Sequence, residues 1–105
     1  MGIFSALLGR TNTSNLSEAL KEGAFLVDVR TPREFKTGSI KGAVNIPLDK
    51  VACSISKFSE KKNIIFFCRS GARSSQAKEI LQVAGFTNVI NGGSKDRVAA
   101  SINRI

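Results

Sequence analysis

The sequence predicts an α/β domain: a central, mostly parallel sheet with helices on both faces. Three observations predict it. Short apolar runs alternate with segments of helical period, the pattern of a parallel sheet joined by helical crossovers. Two of these runs, Phe25–Val29 and Ile64–Phe67, are apolar almost without interruption, which suits strands covered on both faces. Glycine or proline closes most segments, so their ends are marked by chemistry as well as by period. At 105 residues the chain has room for one core and no second one.

Residues 1–13 read as an N-terminal arm and residues 14–105 as the single domain. Ile3, Phe4, Leu7 and Leu8 of the arm are expected to pack, on the domain or on a partner, rather than stand in water. Ser14 to Glu22 reads as a short helix with Leu16, Ala19 and Leu20 on one face, stopped by Gly23. Phe25 to Val29 is the first strand. Thr31, Pro32 and Glu34 then spell a helix start: a hydroxyl cap, a proline at the first helical position, and an acid that completes a capping box. Phe35 is expected to pack inward, and Gly38 to end this turn. Ala43 to Ile46 reads as the second strand, closed by Pro47.

Asp49 is placed to cap the helix that follows. Leu48, Val51, Ile55 and Phe58 form one stripe on it, with Cys53 on the opposite face. Lys61-Lys62-Asn63 makes a polar turn before the central strand, Ile64 to Phe67. Arg73 to Ala84 is the next helix, with Ala77, Ile80, Leu81 and Ala84 as its buried stripe and Gly85 as its stop. Asn88 to Asn91 is the last strand, broken by Gly92-Gly93. Ser94 caps a final helix with Val98, Ile102 and Ile105 along one side.

Composition narrows the chemistry. Sixteen basic residues against eight acidic ones leave a net charge of +8, spread along the chain rather than gathered in a block. Such a surface is well solvated and attracts anions. With no Trp, no Tyr and no nucleic-acid motif, a nucleic-acid partner is not expected. No apolar run reaches the roughly 20 residues of a membrane span. Ile3–Leu8 is a poor secretory signal. No membrane partner is expected, and the expected location is the cytoplasm. Two cysteines are too few for a disulfide framework, and no metal-ligand spacing occurs, so neither metal nor other cofactor is expected. A monomer is expected. The chain has no histidine, which excludes Cys–His and Ser–His–Asp catalysis. Any nucleophile here must be activated by backbone dipoles and cations.

One stretch meets that requirement. Cys68 follows the apolar strand, and Arg69-Ser70-Gly71-Ala72-Arg73-Ser74 follows Cys68, just before a helical pattern begins. Backbone N–H groups of a tight loop and of a helix start converge into an anion site. A thiol held there loses its proton readily, from an ordinary pKa of about 8.5 to roughly 3.5–7.5 in such settings. Arg69 and Arg73 act in the same direction. Cys68 is therefore the candidate nucleophile rather than a buried core cysteine. Arg69 and Arg73 are the candidates to bind the anionic end of a substrate. Asp28 and Arg30 end another strand at the same predicted edge, and read as an ion pair or loop brace that supports the site. Cys53 lacks activating neighbours and reads as inert; its lesser reading is a resolving thiol.

Cys68 through Ser74 (CRSGARS) resembles the active-site loop of rhodaneses, the thiosulfate-type sulfurtransferases. Asp28 to Phe35 (DVRTPREF) and Gly38 to Pro47 (GSIKGAVNIP) resemble two further segments of that family, in the family's order. The likeness runs from about Leu16 to Gly93. It implies a rhodanese-like fold and transfer of sulfane sulfur. The Cys68 thiolate would attack the outer sulfur of a small anionic donor such as thiosulfate, release sulfite and become a persulfide. Cyanide, a thiol or a protein would then accept the sulfur. The N–H groups from Arg69 to Ser74, Ala72 included, would hold the thiolate and the persulfide, with Gly71 allowing the turn and the Ser70 and Ser74 hydroxyls adding donors. Ser39 stands where the family usually has His, and Ser94-Lys95-Asp96-Arg97 replaces a segment that often carries Trp. Two alternatives stay open: a persulfide carrier or regulatory module whose acceptor is a protein, and a cysteine phosphatase. The phosphatase loop is one residue longer between cysteine and arginine than the interval from Cys68 to Arg73, and a shorter loop suits a smaller ligand.

Overall fold

Residues 64–68 are apolar at every position and buried at every position, and the rest of the fold is arranged about them. The computed structural model describes residues 16–105. The N-terminal arm and the first two residues of the predicted first helix lie outside the described residues.

Residues 16–21 are helical (α1) and present Leu16, Ala19 and Leu20 to the core. β1 follows at Phe25–Asp28, then α2 at Pro32–Lys36, β2 at Val44–Asn45 and α3 at Leu48–Val51. A 3₁₀ segment at Ala52–Phe58 bends at Ser54. β3 is Ile64–Cys68, α4 Ala72–Val83, β4 Val89–Ser94 and α5 Lys95–Arg104. The four strands lie in the order β2-β1-β3-β4 and every neighbouring pair is parallel.

Side chains alternate across β3, and each face has its own core. Ile64, Phe66 and Cys68 pack with Val51, Phe58, Ala77 and Leu81, under α3, the 3₁₀ segment and α4. Ile65 and Phe67 pack with Leu16, Ala19 and Val98, under α1 and α5. Phe58 is the hub of the first layer, meeting the rings of Phe25, Phe66 and Phe86 edge-on at centroid distances of 5.8, 5.5 and 6.5 Å. Helices thus cover both faces, as the uninterrupted apolar strands require. In register, Asp28 stands beside Phe67 and Cys68 beside Ser94, so three strand ends meet at one edge. In parallel α/β sheets that carboxyl edge is where sites form.

Several local expectations need correction. The Thr31–Glu34 capping box is present, yet Phe35 is only half-buried and joins neither core. Asp49 caps nothing; Pro47 is the N-cap and Asp49 lies in the first turn. Ala84 and Ile105 are exposed rather than in their helices' stripes. The largest difference is at β4, which runs through Gly92 and Gly93 to Ser94 instead of breaking there. The strand takes in one extra residue between the partners of Phe66 and Phe67, a bulge. Gly92 fits because a Cβ at that point would stand 2.7 Å from Val98 Cγ2 and 3.1 Å from the Phe66 carbonyl oxygen.

Candidate active site

Cys68 is the last residue of β3 and is 1% exposed. The chain then has only Arg69, Ser70 and Gly71 in which to turn from strand into α4. Gly71 makes the turn at φ 104°, a left-handed conformation that costs other residues energy. Its N–H is thereby aimed back at Cys68 and donates to Sγ at 3.0 Å. Ala72 begins α4, and Ser74, fully buried in its first turn, places Oγ 3.6 Å from Sγ.

Burial is the largest influence on the thiol and acts to raise its pKa. The Ser74 hydroxyl and the N–H groups of Ser74, Gly71 and Ser70 act the other way and prevail, so the pKa lies below that of an ordinary thiol. Of the loop expected to cradle the sulfur, Ser70, Gly71 and Ser74 stand about it as donors. Arg69 and Ser70 are exposed on its rim.

Ser74 is itself held from β4. Asn91 Oδ1 lies 2.6 Å from Ser74 Oγ and accepts the Gly93 N–H at 2.9 Å. Asn91 Nδ2 donates to the Gly71 carbonyl oxygen at 3.4 Å, the same oxygen that lies 3.0 Å from Ser74 Oγ. Sequence reasoning missed Asn91, reading it as one more strand residue. A polar side chain next to a Gly-Gly pair was the available signal.

Asp28 and Arg30 form a buried pair beside this edge. Arg30 Nη2 reaches Asp28 Oδ2 at 2.7 Å, Arg30 Nε reaches Oδ1 at 2.9 Å, and the Arg30 backbone N–H donates to Oδ1 at 3.0 Å. Ser39 Oγ donates to Oδ2 at 2.7 Å, and Arg30 Nη2 also donates to the Gly38 carbonyl oxygen at 2.8 Å. The hydrogen bonds that the Arg30 guanidinium donates to Asp28 are the main reason the Arg30 pKa is raised. Asn45 Nδ2 donates to the carbonyl oxygens of both Asp28 and Arg30. The whole loop after β1 is thus laced to its own strand end.

The two loop arginines separate. Arg73 is held by Glu34 of α2, with Nη1 donating to Oε1 at 2.7 Å and Nη2 to Oε2 at 3.1 Å. Its guanidinium is thus engaged within the fold. Among the described residues Arg69 has no ion-pair partner, and it lines a cleft of about 560 Å³ together with Arg30, Arg33, Glu34, Thr37, Lys95 and Asp96. The cleft is rich in cations, a setting that attracts an anion, and Arg69, the residue after Cys68, is the one member of the loop that lines it. Cys53 is exposed, with its thiol donating to the Lys50 carbonyl oxygen at 3.3 Å. Among the described residues no three Cys, Asp or Glu side chains stand together as metal ligands, and no helix is long and apolar enough to cross a membrane.

The sequence model of the rhodanese-like domain matches residues 12–98. A sulfurtransferase of Allochromatium vinosum is 33% identical over 87 residues, covering 81% of each chain. A thiosulfate sulfurtransferase of Escherichia coli is 42% identical over 73 residues, covering 67% of this chain and 70% of the relative. Among solved structures, a rhodanese with anions from E. coli superposes with a TM-score of 0.67 at 37% identity, covering 73% of this chain and 93% of that one.

Proposed function

The chain belongs to the rhodanese-like domain family, and from that premise we propose that it moves sulfane sulfur through a persulfide on Cys68. The relatives named above are sulfurtransferases, so sulfur transfer is the class of reaction. The donor we assign is thiosulfate or a persulfide, and the acceptor cyanide, a thiol or a protein thiol.

The observation that carries this reading is the Gly71 N–H at 3.0 Å from Sγ, with Ser74 behind it, at the end of a buried strand. A backbone donor, fixed as the Gly71 N–H is, stabilises an anion without having to reorganise. The Cys68 thiolate attacks the outer sulfur of thiosulfate. A bond forms between Sγ and that sulfur, the bond within thiosulfate breaks, and sulfite leaves with its electron pair. The terminal sulfur of the persulfide is then attacked by the acceptor: cyanide becomes thiocyanate, a thiolate becomes a persulfide, and Cys68 returns as thiolate. This is covalent catalysis in two half-reactions. Arg69 at the cleft receives the donor's anionic end. Arg73, tied to Glu34, contributes its positive charge and braces the first turn of α4. Asp28 and Arg30 support the neighbouring loop and take no chemical step.

Intact mass before and after thiosulfate, then after cyanide, tests the reading, with Cys68→Ser alongside. One sulfur gained by the wild type alone and removed by cyanide is the expected result. Sulfur gained but retained in cyanide would point to a carrier with a dedicated protein acceptor. No sulfur gained while the thiol stays reactive would overturn the proposal, and aryl phosphate cleavage would then identify a phosphatase.

A further inference from the structure

The Ser74 hydroxyl has one hydrogen and three acceptors within reach. They are Asn91 Oδ1 at 2.6 Å, the Gly71 carbonyl oxygen at 3.0 Å and Cys68 Sγ at 3.6 Å. The Gly71 oxygen is also served by Asn91 Nδ2, and the Gly93 N–H fixes the Asn91 carbonyl oxygen toward Ser74. The shortest contact therefore takes the hydrogen. A lone pair of Ser74 Oγ is then left toward Cys68, where a neutral thiol is the donor. The result is a chain in which Cys68 S–H donates to Ser74 and Ser74 O–H donates to Asn91.

Ionisation of Cys68 reverses the need at sulfur, because a thiolate only accepts. To serve it, Ser74 must turn its hydrogen away from Asn91. We propose that Asn91 is a positioning residue that sets the acidity of Cys68 by competing with the sulfur for the Ser74 hydrogen. Asn91 never touches the reacting atoms; it acts through Ser74. The hydroxyl then follows the charge on Sγ, toward sulfur in the thiolate and back to Asn91 in the persulfide, whose inner sulfur is uncharged. That last step rests on the sulfur-transfer reading; the competition itself rests only on the three contacts.

The proposal has a direction opposite to that of a simple brace. If Asn91 merely held the loop, its removal would loosen the cradle and raise the thiol pKa. Competition predicts the reverse. The charged groups at this edge are Asp28 at the end of β1 and Arg30 after it, Arg33 and Glu34 in α2, Arg69 in the loop, Arg73 in α4, and Lys95, Asp96 and Arg97 in the first turn of α5. All are retained in the variants below, so their fields cancel in the comparison.

The test is the pH dependence of Cys68 alkylation by iodoacetamide, in a Cys53→Ser background, which needs no sulfur donor and so fails or succeeds independently of the sulfur-transfer reading. Asn91→Ala and the bulkier Asn91→Leu are expected to lower the midpoint by about half to one unit, raising the thiolate fraction roughly three- to tenfold below it. In Ser74→Ala the same changes are expected to shift nothing. In the wild type, the Asn91 side-chain amide resonances are expected to titrate with the Cys68 Cβ resonance, since Asn91 loses a hydrogen bond as the thiol ionises. A midpoint raised or unmoved by Asn91 substitution, or shifted equally without Ser74, would overturn the proposal. So would an Asn91 side chain that ignores the titration, a result that holds even if the variants do not fold.

Discussion

Arg73, in the first turn of α4, and Glu34, in the first turn of α2, are joined by two hydrogen bonds of 2.7 and 3.1 Å. A cation at a helix N-terminus opposes the helix dipole, and α4 has no acid in its own first turn. Glu34 provides the compensating charge from another element while also closing the capping box with Thr31. The Arg73 guanidinium is the first cause, and the Thr31 N–H the second, that holds the Glu34 carboxyl down at about 2.

Glu34→Gln isolates the ion pair, because glutamine still completes a capping box. The Glu34 pKa is depressed, so its contribution is fully present above the ordinary 4.5 and lost as the pH falls through about 2. The variant is expected to melt below the wild type at neutral pH. The gap should stay constant down to pH 4.5 and close toward pH 2. A gap of the same size at both ends would mean that charge is not its cause.

Asp28 and Arg30 lie deeper, at 0% and 6% exposure, and there the cost of breaking a pair is large. Asp28→Asn leaves the Arg30 guanidinium buried without its counter-charge, at a cost of about 3–5 kcal/mol. Ser39→Ala removes one charge-assisted hydrogen bond to a carboxylate that keeps its bonds from Arg30, and costs about 1.5 kcal/mol, the low end for such bonds. Urea unfolding of both variants checks the order. Equal losses would show that Ser39, not Arg30, is the partner on which Asp28 depends.

These two ion pairs also mark how far the sequence could be read. Asp28 and Arg30 are two residues apart, so a strand end and its loop suffice to predict that they meet. Arg73 and Glu34 are 39 residues apart. Nothing local distinguishes an arginine aimed at substrate from one tied to a distant helix. β3 was legible because five buried residues in a row have one reading, and the Thr31 and Ser94 caps because their hydrogen bonds are local. β4 was not. Gly-Gly signals a break by propensity, but Gly92 is there because Val98 and Ile65 leave no room for a side chain. Close packing between α5 and the sheet therefore overrode the local rule, and Asn91, placed correctly on that strand, gave no local sign of its contact with Ser74.

Cys68 is expected to react by its thiolate, so alkylation and sulfur uptake should rise with pH, with a midpoint below that of an ordinary thiol. The folded state favours the thiolate over the unfolded one. Its contribution to stability is present above 9.0 and is lost as the pH falls through the depressed pKa. Ser74→Ala removes a donor to the thiolate and is expected to raise the midpoint by about one unit. On the proposed reaction Cys68→Ser is expected to abolish sulfur uptake, and Cys53→Ser, at an exposed position of the 3₁₀ segment, to leave it unchanged. Loss of uptake in Cys53→Ser would make that thiol a participant.

Gly92 offers a test of how the sheet positions the site. A Cβ there would meet Val98 Cγ2 at 2.7 Å, Ile65 Cγ2 at 3.0 Å and the Phe66 carbonyl oxygen at 3.1 Å. The Val98 methyl sits on a fully buried β-branched side chain with little rotamer freedom in a helix, and the carbonyl belongs to the central strand. Overpacking of this kind costs about 1–3 kcal/mol. Gly92→Ala is expected to be destabilised by that amount in urea. It should also disturb the Cys68 cradle, because Asn91 and Gly93, the two neighbours of the bulge, are joined by the hydrogen bond that orients the Asn91 amide toward Ser74. The signature is a lowered unfolding midpoint together with a changed pH profile of Cys68 alkylation. A stability loss with the pH profile intact would show that the bulge serves packing alone.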